Sequence, residues 1–448
     1  MMHRWLSLIL VAGTCLAQDN VARMEQVVQS YVAARQFMGS ALVARDGVIL
    51  LSKGYGSANL EWDIPNTPTT KFRLGSVTKQ FTATSILLLE ERGKLSVTDP
   101  VKKYIADAPA AWDKVTIYHL LNHTSGIPSF TSFPDYAPTE AQPTTPEKLV
   151  ARFRDKPLEF QPGEKWNYSN SGYVLLGYLI EKITGESYAK FVRENIFQPL
   201  AMNASGYDSN AEIIRRRAAG YSPGPTGPQN AGFVHMSIPH AAGALYSTTE
   251  DLLRWEQGLF GGKVLKPESL VKLTTPFKSD YAFGLSVHGE GAHKVIEHGG
   301  GIEGFNTQVS YYPGSKLVVV VLGNLNGGAP GEIANQLASV AMGEKVVLAH
   351  ERKEITLAPK TLAEYAGSYE ISPTFQIVMT VEGDHLMTQA TGQPKVPVFA
   401  ESETKFFLKV VDAQVEFFRN DKGEVTHLVL HQGGQDVKAV RKAAIPAK

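Results

Sequence analysis

Strand-like sequence lies at both ends of the first 345 residues and helical sequence fills the middle, an arrangement that leaves few folds open. Ala41–Leu51 reads as a β pair turned at Asp46-Gly47, and Gln308–Leu325 as another, with Val309, Tyr311 and Leu317–Leu322 around Pro313-Gly314. Val21, Met24, Val27, Val28, Tyr31 and Val32 recur at helical spacing over 21–37, and a last helix fits Gly331–Met342. Residues 76–200 are mainly helical, with Leu149–Phe153 and Ile180–Asn195 among the candidates. The prediction is an α/β fold: one antiparallel sheet closed by the two ends of the segment, flanked by helices, with an all-helical lobe inserted against it. The cleft between those lobes is the natural place for a site.

Two stretches in this segment read as purely structural. Tyr221–Asn230 carries Pro223, Pro225, Pro228, Gly224 and Gly227, too many breakers for a regular element, and is expected to be an exposed loop. Ser247-Thr248-Thr249-Glu250 reads as a capping box for a helix through Trp255. After Met342 the charged stretch Glu344–Lys353 looks like a connector, and from about Leu362 the pattern changes to short alternating strands. These run Phe375–Val381, Leu386–Ala390, Val396–Phe399, Phe406–Val410, Val415–Phe418, Val425–Leu430 and Val437–Val440, with turns at Gly383-Asp384 and Asp421–Gly423. About eight strands at this spacing predict a small antiparallel all-β barrel, a packing or oligomerisation module without a catalytic set of its own. The expected division is a domain over 18–345, a linker over 346–361 and the barrel over 362–448, in keeping with a chain of 448 residues, longer than one core usually fills.

The opening Met1-Met2-His3-Arg4, the apolar Trp5–Leu16 and the small Ala17 have the order of a secretory signal, so residues 1–17 are expected to be a leader and the protein exported. The sole cysteine, Cys15, lies inside it, leaving the rest without a thiol for disulfide or metal. No later apolar stretch reaches membrane-spanning length. Lys plus Arg and Asp plus Glu both total 44, which offers no electrostatic footprint for nucleic acid. With neither His-Glu-x-x-His nor a glycine-rich phosphate loop, no metal or cofactor is expected.

Chemistry concentrates in three places. Ser-x-x-Lys occurs four times, at Ser76/Lys79, Ser187/Lys190, Ser269/Lys272 and Ser402/Lys405, so spacing alone decides nothing. Ser76 differs by following Gly75 and preceding the apolar run of Phe81 and Ile86–Leu89, which reads as a buried helix ending at Gly93. Lys79 then lies one turn on, on the same face, close enough to share a proton with Ser76. The competing reading is an ordinary N-cap serine with a solvated lysine behind it. Tyr168-Ser169-Asn170, the sole Tyr-x-Asn, offers a phenol and an amide on a loop at the start of the Val174–Ile180 helix; the alternative there is a packed tyrosine beside a capped helix. Glu297-His298-Gly299-Gly300-Gly301 precedes the strand Phe305–Tyr312, and its glycines let backbone approach a ligand closely, unless they are a bulge without function.

Taken in this order, the three segments resemble the penicillin-recognising serine hydrolases: class C β-lactamases, D-Ala-D-Ala carboxypeptidases, D-aminopeptidases and related esterases. The resemblance covers about residues 25–345 and includes Leu120–Pro128 and Ala242–Thr248. It implies a β-lactamase/transpeptidase-like fold, with Ser76 as nucleophile, Lys79 as its base, Tyr168 as proton shuttle to the leaving group and Asn170 as donor to the substrate amide. It also implies an oxyanion hole from the N–H groups of Ser76 and Gly301, and substrate contacts from His298, Gly299 and Gly300. The tail resembles the small, lipocalin-like barrels appended to some members. His298 stands where many members have lysine; histidine, mostly neutral at pH 7, argues against anchoring a substrate carboxylate. The implied substrate is a small peptide, amide or ester, a peptidase-like activity on D-amino-acid-containing peptides being favoured over a carboxylesterase, a β-lactamase or a penicillin-binding receptor without turnover. An oligomer is compatible with all of these.

Overall fold

The computed structural model describes residues 5–409, 413–432 and 435–442, and the chain divides after Met342 into two compact units. The first is built on a six-stranded antiparallel sheet. In chain order its strands are β1 (Gly39–Arg45), β2 (Val48–Tyr55), β3 (Ser286–His288), β4 (Val295–Ile302), β5 (Phe305–Tyr312) and β6 (Leu317–Gly323). Their spatial order is β3-β4-β5-β6-β1-β2. The two ends of the segment therefore meet where β1 pairs with β6 from Gly39↔Gly323 to Arg45↔Leu317. β6 is buried along its whole length, which accounts for its unbroken Leu-Val-Val-Val-Val-Leu run. The β1–β2 turn is Asp46-Gly47 with φ of 47° and 83°, the left-handed pair that a two-residue hairpin requires.

Five of the unit's helices place the site: α1 (Trp5–Ala33), α2 (Thr78–Glu91), α3 (Asn170–Thr184), α4 (Thr249–Phe260) and α5 (Ala329–Met342). α1 packs on α5, and both α5 and α4 pack against β6. α2 and α3 pack together in the helical lobe, and one apolar core runs from that lobe onto the sheet. The helix expected over 21–37 ends earlier, at Ala33, and is the second half of a longer one that includes residues 5–17, while the expected leader's first four residues lie outside the described ones. Among the described residues no helix is long and apolar enough to cross a membrane.

Three local expectations need correction. Ile180–Asn195 is not one helix: α3 ends at Gly185, whose φ of 74° closes it with a left-handed cap, and a separate helix runs Tyr188–Val192. Tyr221–Asn230 is a β-hairpin, Tyr221–Gly224 paired with Gly227–Asn230, rather than a loop. Its prolines are tolerated because Pro223 faces Pro228 next to the Gly224↔Gly227 pair that closes the turn, a position in the ladder where neither backbone N–H is called on. α4 starts one residue later than expected, with Thr248 as the cap accepting from the Asp251 N–H, and continues past Trp255 to Phe260.

The second unit contains a helix, Pro359–Tyr365, across the boundary expected between linker and barrel, and then a closed antiparallel barrel of eight strands that begins at Gly367 rather than Leu362. The first, Gly367–Ser372, carries no strong alternation, and it closes the barrel by pairing with the last, Gln435–Arg441. The strand expected over Phe406–Val410 is shorter, Lys405–Phe407; Val410 lies outside the described residues. Tyr365, Tyr369, Phe406 and Phe417 fill the barrel interior together with alternate aliphatic residues.

Candidate active site

Gly75–Val77 forms a tight 3-10 turn that runs into α2, so Ser76 projects from the last turn before the helix proper. No side chain caps α2, so the N-cap reading of Ser76 does not apply. Gly75 has φ of 54°, and a Cβ there would lie 2.8 Å from the Gly301 nitrogen. Only glycine lets this turn sit so close to β4. A Cβ on Gly300 would fall 1.9 Å from the Leu74 carbonyl oxygen, which is taken instead by the Thr307 hydroxyl at 2.8 Å. The missing side chains thus bring the Ser76 turn and the Gly299–Gly301 stretch of β4 edge to edge.

Lys79 is fully buried on α2. Its Nζ lies 2.9 Å from each of three oxygens: Ser76 Oγ, Asn170 Oδ1 and the Ala242 carbonyl. Burial holds its pKa well below the ordinary lysine value, and among the described residues no carboxylate pairs with it to oppose that shift. The Ala242 carbonyl can only accept, and the Asn170 amide, with its Nδ2 directed at the Thr131 hydroxyl, presents its oxygen. A neutral amine has two N–H donors and one lone pair. With both donors committed to those oxygens, the lone pair is left for the Ser76 hydroxyl.

Tyr168 precedes α3 on a loop, and its ring lies 4.8 Å from Lys79 Nζ. Desolvation raises the phenol above its ordinary value, offset in part by a hydrogen bond to Ser76. Asn170 opens α3, where the Ser129 hydroxyl accepts from its backbone N–H. His298, on β4, is buried and bonded elsewhere than to Lys79: its Nδ1–H donates to the Gly299 carbonyl at 2.5 Å and its Nε2 accepts from the Tyr281 hydroxyl at 2.8 Å. Burial is the main cause of a His298 pKa lowered to about 4, and Lys79 adds to it when protonated. A histidine with both nitrogens engaged and no charge at neutral pH has nothing to offer a carboxylate.

Two cavities meet at Ser76. One, of about 80 Å³, is lined by Phe130, Tyr136, Asn170, Ile302 and Glu303 among others. The second, about 460 Å³ and more open, is lined by Tyr168, His298, Gly299, Gly300 and Gly301. Ser76, Lys79, Tyr168, Asn170, His298 and the glycines are therefore brought to one place. Among the described residues no three His, Cys, Asp or Glu side chains are grouped to hold a metal ion.

This arrangement falls within a known family. A family model described as Beta-lactamase matches residues 24–342, about seven-tenths of the chain. The chain belongs to the Beta-lactamase family. A second model, described as Domain of unknown function (DUF3471), matches residues 351–441 and so covers the barrel. Penicillin-binding protein 4* of Bacillus subtilis (strain 168) is 28% identical over 95% of this chain and 100% of its own. Among solved structures, the octameric penicillin-binding protein homologue from Pyrococcus abyssi is 28% identical, covers 94% of this chain and 100% of its own, and superposes with a TM-score of 0.67. The D-amino acid amidase from Ochrobactrum anthropi SV3, complexed with D-phenylalanine, is 25% identical over 72% of this chain and 98% of its own, with a TM-score of 0.64.

Several residues around this Beta-lactamase-family site escape sequence reasoning. Ala242 supplies an acceptor for Lys79 through its backbone, which no side-chain pattern reveals, although it lies in the Ala242–Thr248 landmark. His123, in the Leu120–Pro128 landmark, is buried with its ring 4.3 Å from that of Tyr168 and its Nδ1 accepting from the Ser169 N–H. It holds the loop that carries Tyr168. Tyr281 and Glu303 had no sequence signal at all.

Proposed function

We propose that the protein is an exported serine hydrolase that cleaves amide or ester bonds through an acyl-enzyme on Ser76, acting on small peptides or amides. The observation that carries this reading is the buried Lys79 amine, 2.9 Å from Ser76 Oγ and otherwise facing only neutral acceptors. Lys79 takes the Ser76 proton as Oγ attacks the substrate carbonyl, forming the C–O bond. The carbonyl oxygen, now negative, is met by the N–H groups of Ser76 and Gly301, which the Gly75–Gly301 contact keeps together. The proton passes through Tyr168 to the leaving nitrogen or oxygen as its bond to carbon breaks. Water then repeats the sequence, releasing the acid and restoring Ser76. Asn170 orients Lys79 and, through its amide, the substrate.

The neutral His298 supports a substrate that is not anchored by a carboxylate, and the amidase relative supports amides of amino acids. The leader-like residues 1–17 support export. A fluorophosphonate tests the reading: one equivalent attaches to Ser76, seen by mass spectrometry of the peptide, and the Ser76→Ala protein stays unlabelled. Labelling that persists in that variant refutes the assignment. Adducts with esters and amides that stay intact for hours point instead to a receptor without turnover.

A further inference from the structure

The smaller cavity beside Ser76 is lined by a carboxylate, one of whose oxygens has no hydrogen-bond partner among the described residues. Glu303 follows β4 directly, lines the cavity with Ser76, Asn170 and Gly301, and has its Oε2 buried without a hydrogen bond. No ion pair reaches it among the described residues. Glu140 is close enough to feel this charge and has no salt bridge among the described residues; burial first and the Glu303 carboxylate second raise the Glu140 carboxyl above its ordinary range. Arg152 is the nearby cation, and it is engaged with Asp135. A buried carboxylate oxygen with no partner, held near a second acid, is costly unless something binds there that a carboxylate favours.

The position of the cavity says which part of a substrate meets it. Tyr168 and His298 line the open groove, whereas Asn170 and Glu303 line the small cavity, and Ser76 lies between them. If Tyr168 delivers the proton to the leaving group, the leaving group occupies the groove and the acyl group the small cavity. About 80 Å³ admits an acyl group of a few heavy atoms. Its walls, Phe130, Val234 and Ile302, are apolar, and its one charged lining group is Glu303.

We infer that the acyl side of this site selects a small acyl group carrying a protonated amine, with Glu303 as the residue that binds the ammonium, so that the substrate is an amide or ester of a small amino acid with a free amino group. The inference rests on the acyl-enzyme reading above. The open groove, about 460 Å³, leaves room for a larger amine, including the remainder of a peptide, as leaving group. The charge logic of the site is then the reverse of one that holds a substrate carboxylate: a neutral His298 on one side of Ser76 and an unpaired carboxylate on the other.

Glycine p-nitroanilide and propanoyl p-nitroanilide test it, because their acyl groups have the same shape and differ only in an ammonium for a methyl. The intact protein is expected to favour the glycine compound in kcat/KM by roughly 10- to 100-fold, the range of a hydrogen bond to a charged group. In Glu303→Gln that ratio collapses towards one, chiefly through KM for the glycine compound. Fluorophosphonate labelling of Ser76 is followed in the same samples. If Ser76 is labelled but the two anilides react alike, or Glu303→Gln keeps the preference, the inference fails while the serine hydrolase reading stands. If Ser76 is not labelled and neither anilide turns over, the reading itself fails. Calorimetric titration with glycinamide and propanamide decides binding apart from turnover, and equal affinities overturn the role of Glu303.

Discussion

Replacing Asn170 by aspartate tests whether the neutrality of Lys79 is what makes Ser76 reactive. The change is nearly isosteric, and it puts a carboxylate where the amide oxygen stands, 2.9 Å from Nζ. At that distance two unit charges interact by about 6 kcal/mol at an effective dielectric near 20. Desolvation of the new carboxylate in this half-buried position takes back about half, which leaves the Lys79 proton affinity higher by roughly 2–3 pH units. The sign follows from which form reacts. Burial lowers the Lys79 pKa, so the rate in the native protein falls on the acid side, where the amine becomes ammonium. Asn170→Asp moves that acid limb to higher pH by the same interval, and below it the rate drops by about 10²- to 10³-fold. The assay is the second-order rate of Ser76 phosphonylation across pH, which needs no knowledge of the natural substrate. Asn170→Ala, which removes the amide without adding charge, separates the two effects: its rate falls but its acid limb stays in place. Coincident limbs in the Asp and Ala variants would refute the argument that an ionised Lys79 is the inactive form.

Two further outcomes follow from the same physical reasoning. Gly300→Ala puts a Cβ 1.9 Å from the Leu74 carbonyl and 2.4 Å from the Thr307 hydroxyl, so β4 must move away from the Ser76 turn; with one oxyanion donor displaced, phosphonylation and turnover fall by about 10²- to 10³-fold while circular dichroism shows the fold retained, and unchanged rates would sink the proposed oxyanion hole. Glu256, buried on α4, has its carboxyl raised by burial from 4.5 to about 8. Between those values the folded chain holds a proton that the unfolded chain has released, so stability falls as pH rises, by up to about 5 kcal/mol at the alkaline end. Glu256→Gln is therefore expected to gain stability over the native protein progressively above pH 5 in denaturant titrations, and a difference independent of pH would contradict the shift.

What the sequence revealed of the fold and site was local or periodic; what it hid was long-range or carried by backbone. The one-turn separation of Ser76 and Lys79 follows from helical geometry, and the alternation in Phe375–Val381 follows from the pleat, so both were legible. Gly185 shows the limit of periodicity: apolar spacing continues from α3 into Tyr188–Val192, and the break depends on a left-handed residue that the pattern does not weigh. The hairpin at Tyr221–Asn230 was missed because a proline count ignores which ladder positions need an N–H. The Ala242 carbonyl is 163 residues from Lys79 in sequence, and the Glu303 carboxylate resembles any surface acid until the cavity around it is seen. The glycines of β4 were legible as a close approach, but the object they approach, the Leu74–Gly75 backbone, was not.

The three other Ser-x-x-Lys pairs show what distinguishes a reactive one. Ser187 caps a helix by accepting from the Lys190 N–H, and the Lys190 ammonium is half-exposed and 2.7 Å from Glu186. Lys272 lies 2.8 Å from Glu90, and Lys405 lies 3.4 Å from Glu416, each with its side chain about half exposed. Ser402 only accepts from the Lys405 backbone in a turn. In every case water and a carboxylate favour the ammonium, which cannot take a proton from a hydroxyl. Lys79 has the same spacing and neither favour: no water-exposed surface, no acid, and partners that accept hydrogen bonds without carrying charge. The distinction lies in the surroundings that α3 and the Ala242 segment supply to α2, so the motif becomes chemical only after the helical lobe has closed over it. A variant that opened that lobe to water, keeping Ser76 and Lys79, would accordingly raise the Lys79 pKa towards its ordinary value and lose reactivity without losing either residue.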